Sequence, residues 1–81
     1  MTNNTRIIDI NLPEGFYIIN PADNTFFTMF PSPMFTANPE IYQRFSSLAD
    51  ALEAEELLIT NNERFNNVFT SIIDHLGIEH F

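Results

Sequence analysis

No cysteine occurs anywhere in this chain, so neither a disulfide nor a thiolate metal site can hold it together. With 81 residues it makes one small α+β domain, residues 1–81, that packing alone must stabilise. Phenylalanine is the means at hand: it occurs nine times while tryptophan is absent. Each Phe buries a large apolar area. A core built this way either packs efficiently or completes itself against a partner or a second copy.

Lysine is absent as well. Arg6, Arg44 and Arg64 are the only cations against eleven carboxylates, giving a formal net charge of −8 at pH 7. A field of that sign repels nucleic acid and anionic membranes and attracts basic protein surfaces. The first residues, Met1 to Thr5, have no apolar segment of signal-peptide type, and no run approaches the length of a membrane span. The expectation is a cytoplasmic protein, with residues 1–4 disordered, that binds neither membrane nor nucleic acid directly.

Alternation of Ile8, Ile10 and Leu12 predicts a strand over Thr5–Leu12. Pro13-Glu14-Gly15 is a turn, Phe16–Asn20 a second strand, Pro21-Ala22-Asp23-Asn24 another turn, and Thr25–Phe30 a third strand. Pro31-Ser32-Pro33 ends that sheet. Asn38-Pro39-Glu40 then reads as a helix start, with Ile41, Tyr42, Phe45, Leu48, Ala49 and Leu52 at helical spacing. Ser46-Ser47 divides this stretch, since Ser47 and Asp50 have capping-box spacing. Periodicity leaves Leu57-Leu58-Ile59 open between helix and edge strand.

A last helix is predicted from a capping box at Thr60–Glu63 and a stripe of Phe65, Val68, Phe69, Ile72, Ile73 and Leu76, ended by Gly77. The expected architecture is a three-stranded antiparallel β-meander followed by two or three α-helices packed on one face.

No catalytic signature stands out. Two glycines cannot make a phosphate loop, and no Ser or Thr sits in a nucleophile-elbow context. His75 and His80 lack the one-face spacing of a helical metal site, so neither metal nor cofactor is expected. The candidate partner-binding residues are Asp50, Glu53, Glu55 and Glu56, an acidic cluster able to imitate spaced phosphates, and Met34 and Phe35 in an apolar connector. The uncharged residues Asn66, Asn67 and Thr70 form a third candidate face.

The charge balance points to a non-enzymatic module that binds a basic protein surface. An inhibitor of a nucleic-acid-handling enzyme, of the kind viruses use against host defences, suits it. The alternative is a structural or assembly subunit that homodimerises, or docks in a larger complex, through its Phe-rich surface.

Overall fold

Two short runs of aromatic and β-branched residues, Phe16–Asn20 (β1) and Thr25–Thr28 (β2), pair antiparallel with Ile19 opposite Phe26. The hairpin turn between them needs one left-handed residue, and Asn24 takes it at φ 58°. Asp23 braces the turn by accepting from the Thr25 hydroxyl at 2.6 Å and from the Thr25 N–H at 3.1 Å. These bonds, the hydroxyl's first, hold the Asp23 carboxyl below its ordinary value.

The computed structural model that carries this hairpin describes residues 11–29, 32–61 and 69–80. Three further strands extend the sheet: Met34–Thr36 (β3), Ser71–Asp74 (β4) and Glu79–His80 (β5). All pairings are antiparallel and the spatial order is β3-β2-β1-β4-β5. Among the described residues one α-helix, Leu48–Asn61 (α1), connects the two halves of the sheet.

Alternation along the strands sorts the core into two layers. Ile18, Phe27 and Ile72 face α1, where Ala51 and Leu58 meet them. Tyr17, Ile19, Phe26 and Ile73 are buried on the opposite face, with Leu12 and Tyr42 packed against them. Ala51 is fully buried, and its small side chain lets the helix approach the sheet closely. Tyr17 reconciles its hydroxyl with burial by donating to the Pro13 carbonyl at 2.6 Å.

Among the described residues, this five-stranded sheet with one helix corrects the expected three-stranded meander under two or three helices. The predicted last helix is overturned most completely. Ile72 and Ile73 belong to β4, paired with Ile18 and Tyr17 of β1. A central strand covered on both faces is a continuous apolar run, and such a run also satisfies helical spacing. Phe69, expected in the buried stripe, is 73% exposed. Gly77 is left-handed at φ 85°, as expected of a terminator, but it serves the β4–β5 hairpin. Thr60 and Asn61 end α1 rather than open a helix. Phe65, Asn66, Asn67 and Val68 lie outside the described residues, as do Phe30 and Pro31 and most of the predicted Thr5–Leu12 strand.

The predicted helix from Asn38 is also corrected. Asn38 does cap, accepting from the Glu40 N–H at 3.1 Å, but only the single 3-10 turn Pro39–Ile41 follows. Tyr42 to Phe45 is extended instead. Gln43 N–H donates to the Phe27 carbonyl at 3.0 Å, and Phe45 exchanges both backbone bonds with Phe16 at 2.8 and 2.9 Å. Three residues apart on an extended chain, Tyr42 and Phe45 enter opposite layers. Tyr42 stacks on Phe26 with ring centroids 4.0 Å apart, while Phe45 packs on the helix side. Their helical spacing in sequence is a coincidence of serving two layers. The break at Ser47 holds: its hydroxyl accepts from the Asp50 N–H at 3.1 Å, and α1 begins at the next residue. Leu57, Leu58 and Ile59 are helical.

Candidate functional site

Helix α1 presents two kinds of surface. Its inward side is set by Leu48, Ala51, Ala54 and Leu58, spaced to face the sheet. Asp50, Glu53 and Glu56 lie away from that side and are exposed. These three carboxylates fall on successive turns, covering about 9 Å of helix axis at ~1.5 Å per residue. Duplex DNA carries about one phosphate per 3.4 Å of each strand, so the density of charge is comparable over that length. Ser46 donates to the Asp50 carboxylate at 3.3 Å, near the start of the helix, where negative charge favours the helix dipole.

Glu55 does not share that exposure. It is half-buried on the flank toward β4 and accepts from the Thr70 hydroxyl at 2.8 Å, tying the helix to the chain that enters β4. The two apolar candidates also part company. Phe35 in β3 faces α1 and meets Phe27 edge-on, with centroids 5.9 Å apart, as a satellite of the core. Met34, opposite Thr28, is half-buried on the other face of the sheet.

Beside the acidic crest runs a groove of about 400 Å³ that spacing and periodicity did not reveal. Phe27, Phe45 and Leu58 line it, and Met29, Pro33, Ala54 and Leu57 complete its walls. Met29 is 56% and Leu57 52% exposed, high for large apolar side chains on a domain this small. The one sequence signal for it is Leu57: a leucine following Glu55-Glu56 on the outer part of a helix whose inner positions are already filled.

A second cleft of about 240 Å³ lies against Phe16, among Glu14, Arg44, Ser46, Asp74 and His75. Arg44, the one arginine among the described residues, crosses over Gly15 and donates from Nη1 to the Glu14 carbonyl at 3.0 Å. Asp74 organises the adjacent hairpin, accepting from the backbone N–H of Leu76 at 2.9 Å and of Ile78 at 3.1 Å. Its other oxygen lies 3.1 Å from His80 Nε2. Burial pushes the Asp74 carboxyl up, but the His80 contact and the two backbone bonds outweigh it and leave the carboxyl below its ordinary value. Among the described residues no three His, Cys, Asp or Glu side chains converge on a common point. His75 and His80 sit on a hairpin, His80 held against Asp74 and edge-on to Phe16.

A lowered carboxyl stabilises the fold most fully above the unfolded value of about 3.9, and that contribution disappears as pH falls through the native value. Asp74→Asn should therefore lower the urea midpoint near neutral pH and flatten the acid limb of stability against pH. An acid limb identical to that of the wild type would show that Asp74 gains nothing from its turn.

No helix among the described residues is long and apolar enough to cross a membrane. No family model, curated protein or solved structure matches the chain. The surface itself therefore carries the functional reading.

Proposed function

We propose that the protein is a non-enzymatic, cytoplasmic binding module that occupies a basic surface on another protein. The observation that carries this is the exposed crest of Asp50, Glu53 and Glu56 on a helix anchored by its opposite side. With no lysine in the chain and a net charge of −8, nothing offsets that crest at long range. Acidic side chains so placed raise the encounter rate with a basic groove and fix register within it. A nucleic-acid-handling enzyme offers such a groove, and filling it would block its substrate.

The test uses the purified partner, identified by crosslinking in cells that make the protein. Glu53→Lys with Glu56→Lys should weaken binding by about tenfold or more, ~1.4 kcal/mol per decade, and flatten its dependence on salt. Excess duplex DNA should displace the wild-type protein from the same surface. Unchanged affinity and salt slope in the double variant would sink the charge-led reading. An assembly subunit that dimerises or docks through apolar contacts is the second reading, favoured by the exposed Phe69 and Met29. Its mark is a salt-insensitive dimer in size-exclusion chromatography.

A further inference from the structure

The groove and the acidic crest share a wall. Asp50, Ala54 and Leu57 follow one another at i, i+4 and i+7, so they lie along one stripe of α1. Ala54 and Leu57 line the groove, and the exposed Asp50 continues their stripe toward the start of the helix. Glu53, also exposed, precedes Leu57 by one turn on the solvent side. The wall is thus apolar at Ala54 and Leu57, with carboxylates at its end toward the helix start and along its solvent edge.

The geometry points to a basic amphipathic segment of a partner protein as the occupant of this groove, with one large apolar side chain seated between Met29 and Leu57 and flanking Lys or Arg side chains facing Asp50 and Glu53. This deepens the reading of a basic partner surface and rests on it. Charge complementarity selects the occupant. A purely apolar ligand would fill the groove and leave the carboxylates unpaired. A second copy, docked through the same surface, would bring a second acidic rim and no lysine, so like charges would meet. A basic segment satisfies both the apolar wall and the carboxylates, in the manner of helix-in-groove recognition.

The experiment is a fluorescence-anisotropy titration of the full chain with a labelled synthetic helix bearing leucine at i, i+3, i+4 and i+7 and lysine elsewhere. A control peptide of equal charge has serine in place of each leucine. The leucine peptide should bind at least about tenfold more tightly than the serine peptide, the signature of a buried apolar anchor. Met29→Gln with Leu57→Gln, both at exposed positions that leave the core intact, should remove that advantage while keeping the salt slope. Glu53→Lys with Glu56→Lys should flatten the slope.

Equal binding of both peptides, lost only on charge reversal, would overturn the groove inference and leave the acidic-crest reading standing. Binding lost in the Met29/Leu57 variant but indifferent to charge reversal and salt would overturn the basic character of the occupant, and the charge-led reading with it. Failure of the leucine peptide to bind would overturn the inference. So would a dimer, seen by sedimentation, that the Met29/Leu57 variant dissolves, because the groove would then belong to a second copy.

Discussion

Ile72→Ala should cost about 2–5 kcal/mol, the usual penalty for truncating a buried isoleucine whose cavity cannot collapse. Ile72 is 2% exposed, opposite Ile18 in the middle of the sheet and under α1. Domains of this size have only about 5–15 kcal/mol of stability in total, at best, so a large fraction of it goes with one side chain. Urea denaturation followed by far-UV circular dichroism measures the loss. Phe69→Ala is the matched comparison. At 73% exposure Phe69 has little burial to lose, and its truncation should change stability by less than about 0.5 kcal/mol. A terminal helix built on the Phe69–Ile72–Ile73 stripe would make both substitutions severe. Equal, large effects would therefore contradict the position of β4 in the sheet.

Gly15→Ala should be comparably damaging, through the backbone rather than the core. Gly15 has φ 151°, a conformation that residues with a Cβ rarely adopt. A Cβ there would lie 2.7 Å from Arg44 Cγ and 2.9 Å from the Phe45 carbonyl oxygen. That oxygen accepts the Phe16 N–H at 2.8 Å, so relief of the clash must disturb the bridge tying Phe45 to β1. Strain of about 1–3 kcal/mol, together with loss of a bridge bond at ~1 kcal/mol, predicts a destabilisation of roughly 2–4 kcal/mol. Adding Arg44→Ala removes the side-chain clash but leaves the backbone oxygen in place. It should restore only part of the loss. Full restoration would assign the whole effect to Arg44 and refute the strained position of Gly15.

Local chemistry was legible wherever neighbouring residues decide it. β1, β2 and the turn between them follow from the Pro-Ala-Asp-Asn tetrad flanked by β-formers, and the left-handed Asn24 sits where such a turn requires it. The capping hydroxyl of Ser47, the cap at Asn38 and the left-handed Gly77 are equally local. The acidic run was legible only as composition: the structure extends α1 to Asn61, which places Glu53 and Glu56 outward and turns Glu55 toward Thr70.

What the chain could not disclose by pattern was the element to which each apolar residue belongs. Ile72 and Ile73 are adjacent and both buried because β4 is covered on two faces, and adjacency of that kind erases the period-two signal of a strand. Tyr42 and Phe45 match a helix in spacing because an extended segment supplies one side chain to each layer. The groove is a product of the same assembly. Phe27 and Met29 from the β2 region, Phe45 from the crossing segment and Leu57 from α1 are separated along the chain, and only the packed sheet brings them to one cleft. Sequence by itself determined the β1–β2 turn and the caps at Asn38 and Ser47, because each depends on residues within a few positions of one another, and the net charge, because it is a sum over the chain. The tertiary structure alone decided the strand order, the identity of β4 and β5 and the apolar wall beside the acidic crest, because those depend on contacts between distant segments.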